Sequence, residues 1–198
     1  IICGRKGSRV CPALGGLICS SCCGSKRGND ITCPPDCSYF PFGTEAYDAR
    51  LKIDASCANK VMEYILDFFG RDYIEKVLQK IGHRGSLLED NPGVALPAAI
   101  NYLLGFKRGV NGKTIADIWE QEGWRGLSND ERVMMKYRRY SFPTIIEVQR
   151  IIDDKSMQCI DLFDPEESPF ILFDRSIARS TDRFSRFFMW ITHYPNFS

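Results

Sequence analysis

The 198-residue chain predicts an α+β fold in three parts: a cysteine-rich module over residues 1–40, a helical region over 41–140 and a small antiparallel β-barrel over 141–198. Three observations predict it. Seven of the nine cysteines fall between Cys3 and Cys37. From Ser56 onward the apolar residues recur at helical spacing, and from Pro143 the pattern changes to short β-branched and aromatic runs separated by turn residues. With 44% apolar and 12% aromatic residues the chain can fill a real core, which excludes a disordered tail. The net charge is +1, but residues 1–38 carry five basic side chains against two acidic ones, so a mild positive excess sits beside the cysteines. No apolar run approaches the roughly 20 residues that span a bilayer, and nothing reads as a signal peptide ahead of Cys3. The expectation is a soluble, cytoplasmic protein with no membrane partner.

The first element to justify is the module. Its cysteines are Cys3, Cys11, Cys19, Cys22, Cys23, Cys33 and Cys37, and the short spacings Cys19-x2-Cys22 and Cys33-x3-Cys37 have a geometric meaning. Two thiolates that close together on a tight turn can both reach one tetrahedral zinc, and a second pair completes the four ligands. Gly15-Gly16, Gly24, Gly28 and Pro34-Pro35 supply the turns, while Leu17-Ile18 and Ile31 read as strand ends that feed the ligands. Energetics point the same way. Beyond the two leading isoleucines, Val10, Leu14, Leu17, Ile18 and Ile31 are too few to offset the chain entropy of 38 residues, so the segment needs staples. Bound zinc supplies about 10–16 kcal/mol of apparent folding free energy. Disulfides are disfavoured by the adjacent Cys22-Cys23, the odd count and the missing export signal. A redox dithiol at Cys19/Cys22 lacks the preceding βαβ strand. Seven thiolates make one complete site with three left over, or two sites short of one ligand. The strongest tetrad on spacing is Cys19 with Cys22 or Cys23, closed by Cys33 and Cys37. Cys3, Cys11 and the unused member of the pair form a second site, so one or two Zn2+ are expected.

The stretch "ICSSCCGSKRGNDITCPPDC" resembles the second half of MYND- and HIT-type zinc fingers, which carry a "YCS-x2-C" knuckle followed by a His-x3-Cys pair. Here Cys33 stands where those fingers have histidine, and the opening CxxC of their first half is missing. "CGRKGSRVC" echoes the glycine-serine loop of the SEC-C metal-binding motif. The layout as a whole is similar to uncharacterised bacterial zinc-cluster proteins, a likeness that lends no activity. What the finger resemblance implies is a treble-clef-like, cross-brace zinc module that docks on protein or nucleic acid. It covers about a fifth of the chain.

The helical region begins after the joint "CSYFPFGTE". Val61, Ile65 and Phe68-Phe69 share a stripe that continues through Ile74, Val77, Leu78 and Ile81, with Gly70 as a break and Gly82 as a stop. "VALPAAINYLLGFKRG" and "TIADIWEQEGW" make two further helices, the second capped by Thr114. Ser128 and Glu131 form a capping box that opens "SNDERVMMKYRRY". The stripes are read as core, and the product is a small helical bundle.

In the C-terminal part, "TIIEVQRII", "SMQCIDLF", "PFILF" and "RFFMWITHY" read as four strands joined by "DDK", "DPEES" and the loop "DRSIARSTD". Four strands with short turns suggest a meander that curls into an SH3-like or OB-like barrel. Charge is the other signal in this half. Arg132, Lys136 and Arg139 share one helix face, and Arg175, Arg179, Arg183 and Arg186 recur every three or four residues among Phe184, Phe187, Phe188 and Trp190. With Lys26 and Arg27 these make a candidate nucleic-acid surface, because basic grooves with interleaved aromatics contact phosphates and stack bases.

Catalytic motifs come close and fail. "GVNGKT" ends like a phosphate-binding loop, but Lys107 stands where the first glycine belongs. His83 and His193 are the two histidines, neither in an HExxH, and His83 reads as a cation at a helix end. The carboxylates of "DLFDPEES" serve a turn. The expectation is therefore a non-catalytic zinc-binding adaptor that docks a protein partner within a larger complex. The alternative is a nucleic-acid-binding protein.

Overall fold

The computed structural model describes residues 3–43, 46–82, 92–109, 111–164, 166, 169–194 and 197–198. In chain order these form β1 (Arg9–Cys11), β2 (Gly16–Ile18), α1 (Ser20–Lys26), α2 (Tyr47–Phe69), α3 (Arg71–Gly82) and α4 (Pro92–Asn101), which runs into a π-helical turn at Tyr102–Phe106. Then come α5 (Ile115–Gln121), α6 (Asn129–Arg138), β3 (Phe142–Ile151), β4 (Ser156–Asp161), β5 (Phe170–Phe173), α7 (Arg175–Ser180) and β6 (Arg186–Ile191). The chain divides into two compact units: Ile1–Arg50 together with Tyr140–Ser198, and Leu51–Arg139.

In the first unit, β1 and β2 pair as an antiparallel hairpin in the register Arg9 with Ile18, Val10 with Leu17 and Cys11 with Gly16. The four C-terminal strands form a second antiparallel sheet, in the order β5-β4-β3-β6. Its residues alternate as period-2 strands require: Ile146 and Val148 of β3, Met157 and Cys159 of β4, Leu172 of β5 and Ile191 of β6 meet in one core. The expected barrel is not there. β6 returns beside β3 in Greek-key order, and among the described residues it makes no ladder with β5, so the sheet stays open. Two features explain this. The segment "DRSIARSTD", expected as a loop, contains α7, whose Ala178 lies in the sheet's core with Ile177 packed against it. The free edge of β5 is also occupied, since the Phe173 N–H donates to the Ser198 carbonyl at 2.8 Å and the Ser198 N–H to that of Ile171 at 2.7 Å.

The second unit is helical, as the periodicity predicts. Cys57, Val61 and Ile65 lie one turn apart and are fully buried, and the core continues through Ile74, Val77, Leu103, Leu104, Trp119, Met134 and Met135. Gly70 at φ +77° ends α2 and lets α3 leave in a new direction. Phe68 departs from the expected stripe and is 49% exposed. The i+4 series from Val61 runs to Phe69 instead, whose ring stacks on Tyr73 at 4.8 Å. Both caps hold: Thr114 with Asp117 and Ser128 with Glu131 each make a reciprocal capping box.

Candidate metal centre

The cysteine module is assembled by a close backbone crossing. Gly7 passes over β2 so tightly that a Cβ there would lie 2.6 Å from the Leu17 Cβ, and the Ser8 N–H donates to the Ile18 carbonyl at 3.1 Å. That crossing sets the arm carrying Cys3 beside the start of α1. Cys19 is the N-cap of α1, extended at φ −74° and ψ 154°, and its sulfur accepts the Cys22 N–H at 3.4 Å. Cys22 follows in the first helical turn, on the same face. The Cys3 and Cys19 sulfurs are 3.5 Å apart, and the ligand atoms of Cys3, Cys19 and Cys22 all lie within 4.8 Å of one another. Thiolates on a tetrahedral zinc sit about 3.8 Å apart, so the trio needs only small rotations to hold one ion.

Electrostatics set the trio apart from ordinary buried cysteines. The Cys22 N–H foremost, then the Cys3 thiol, lower the Cys19 pKa to about 7, below the usual 9.0. Hydrogen bonds with Cys3 and then Cys19, reinforced by burial, push Cys22 up to about 11. One thiolate forms easily in this cluster and the next does so against the charge of the first. A divalent cation reverses that opposition, because it pays for the added negative charge directly.

The other cysteines of the module lie beside the trio. Cys11 closes β1 and Cys23 follows Cys22 on α1; both are buried, in one cluster with Ile18, Cys19, Cys22 and Ile31 against which Cys33 packs. Burial first, and then the nearby charges of Cys37, Cys11 and Cys23, raise the Cys33 thiol. The structure thus brings Cys19 and Cys22 to Cys3, and Cys33 to the neighbourhood of Cys11, Cys23 and Cys37. Cys57 and Cys159 are solitary members of the helical and sheet cores, pushed up by desolvation to about 11 and about 12. All nine thiols are free.

Most of the candidate nucleic-acid residues have a partner within their own unit. Lys26 pairs with Asp30 at 2.6 Å, Arg139 with Asp117 and Glu120, Arg175 with Asp48, Arg179 with Asp154 and Arg186 with Glu147. Arg27 donates to the Tyr39 carbonyl and Arg132 to that of Leu127. Arg183 lies over the Phe184 ring at 4.4 Å, and Lys136 is exposed on α6. Arg175 and Arg179 ride on α7, Arg183 on a turn and Arg186 on β6, so the four make no single stripe. His193 is exposed, 5.3 Å from the Phe142 ring and 2.5 Å from the Ser198 hydroxyl. His83 lies outside the described residues.

Two features of the module escaped the sequence reading. Spacing reveals Cys19-x2-Cys22, but Cys3 joins them through the Gly7 crossing, which has no spacing signature. Val10, Leu14 and Leu17, counted as scarce core material, are 69%, 50% and 63% exposed on the hairpin. The signal lay in strand alternation, which puts Val10 and Leu17 on the face opposite Arg9, Cys11 and Ile18. Leu17 also forms part of the wall of a surface pocket of about 440 Å³ with Arg5, Lys6 and the cysteine trio. No helix among the described residues is long and apolar enough to cross a membrane. No protein-family model, curated protein or solved structure matches the chain.

Proposed function

We propose that the chain is a zinc-organised docking adaptor: thiolates hold the small N-terminal module together, and its hairpin binds an apolar site on a protein partner. The observation that carries this reading is the exposed set Val10, Leu14 and Leu17. A module with so few aliphatic residues gains nothing in folding by turning three of them to water, and such patches commonly mark interaction surfaces. A metal supports the arrangement because it replaces the core those residues would otherwise supply. Zn2+ fits the trio of sulfur ligands at Cys3, Cys19 and Cys22, which are soft donors at tetrahedral spacing.

The competing nucleic-acid reading has less support, since five of its nine candidate cations already face carboxylates. Salt separates the two. Phosphate binding falls steeply with ionic strength, whereas an apolar interface is nearly indifferent to it. The test immobilises the intact protein and a Val10→Glu/Leu17→Glu variant, and compares retention of cellular proteins and of a single-stranded oligonucleotide at low and high salt. Adaptor function requires protein retention that survives high salt and disappears in the variant, with zinc content unchanged. Oligonucleotide retention that is lost in high salt and is indifferent to the variant would overturn it.

A further inference from the structure

We infer that the adjacent residues Cys22 and Cys23 serve two different metal centres: Cys22 ligates one Zn2+ with Cys3 and Cys19, while Cys23 ligates a second Zn2+ with Cys11, Cys33 and Cys37. This rests on the zinc reading of the module and adds a second, four-thiolate site to it.

Helix geometry supplies the first reason. Successive residues on α1 leave the axis about 100° apart, so neighbouring thiols cannot converge on one ion as Cys19 and Cys22 do across a turn. Packing supplies the second. Cys23 is 7% exposed, as is Cys11, and both lie in the buried cluster with Ile18, Cys19, Cys22 and Ile31, against which Cys33 is packed, yet Cys23 stays outside the trio whose sulfurs converge. Chain geometry supplies the third: the Cys37 N–H donates to the Pro34 carbonyl at 3.1 Å, a turn that returns Cys37 toward Cys33.

Among the described residues the Cys3 trio alone has its ligand atoms within 4.8 Å of one another, so the second set must draw its sulfurs closer to hold an ion. Binding releases four protons, one from each thiol, and leaves a site of net charge −2. Zinc suits four soft sulfur ligands and requires no open position.

The test uses the full chain loaded with zinc and treated with a chelator while its thiols are alkylated and mapped by mass spectrometry. The inference expects two zinc ions per chain and protection lost in two groups at different rates. Cys3, Cys19 and Cys22 form one group; Cys11, Cys23, Cys33 and Cys37 form the other. In parallel, Cys23→Ser and Cys33→Ser should each lower the bound cobalt from two ions to one, and Cys3→Ser should remove the other ion. Loss of protection in a single group, or of Cys22 and Cys23 together, overturns the division while leaving the zinc reading in place. The same holds if Cys23→Ser and Cys33→Ser leave the number of bound ions as it is in the unaltered protein. A protein that takes up no metal overturns both.

Discussion

Glu131 is the residue whose surroundings say most about its task. It is 3% exposed, yet it accepts hydrogen bonds from the Ser56 hydroxyl, the Lys60 ammonium and the Ser128 N–H, all at 2.6–2.7 Å. Burial raises its pKa, but these donors overcome it and hold the carboxyl at about 2, below its usual 4.5. A depressed carboxyl stabilises the fold above its unfolded pKa and loses that contribution as pH falls through the folded one. The helical unit should therefore weaken between pH 4.5 and about pH 2, and Glu131→Gln should cost about 2 kcal/mol at neutral pH. Chemical denaturation of both proteins at pH 7 and pH 3 checks this: the difference should shrink at the lower pH. Part of this was legible in advance, because Ser128 and Glu131 stand at capping-box spacing. Ser56 and Lys60 were not, since they lie about 70 residues earlier and meet Glu131 only when α2 packs against α6.

Among the elements, the arm over β2 and the two capped helices invite substitution. Gly7→Ala would drive a methyl into the Leu17 backbone, whose carbon lies 2.8 Å from the added Cβ, and the arm must lift. Cys3 then leaves Cys19 and Cys22. Zinc affinity should fall at least tenfold in a competition titration, while the melting of the helical unit stays unchanged; unaltered affinity would mean that the crossing does not position Cys3. In the helical unit, Thr114→Ala should cost about 1 kcal/mol through the lost N-cap of α5, read as a shift in denaturation midpoint. Gly105→Ala should cost about 1–3 kcal/mol, because its Cβ would meet the Arg139 carbonyl at 2.7 Å. The caps could be read from the sequence because they depend on local spacing. The need for glycine at positions 7 and 105 arises from segments met elsewhere in the chain.

At the scale of the whole molecule, the helical unit and the cysteine module hold different kinds of interior. The helical unit buries large apolar side chains such as Trp119, Leu103 and Met134, whereas the cysteine module buries mainly thiols with Ile18 and Ile31. Chelating the metal at neutral pH should therefore abolish amide protection over β1, β2 and α1 and leave the Leu51–Arg139 unit protected. Hydrogen exchange followed by mass spectrometry checks it; loss of protection throughout would mean that the helical unit depends on the metal. The amino-acid sequence by itself determined the α+β class, the helical middle, the antiparallel strands, the caps and the concentration of thiols between Cys3 and Cys37, because period, capping and composition act over a few neighbouring residues. Tertiary structure alone decided that β6 returns beside β3 instead of closing a barrel, that Cys3 joins Cys19 and Cys22, and that Arg175, Arg179 and Arg186 meet carboxylates. Each of these depends on segments far apart in the chain, whose meeting is set by packing and hydrogen bonding, and no local pattern encodes which distant partner fills a given space.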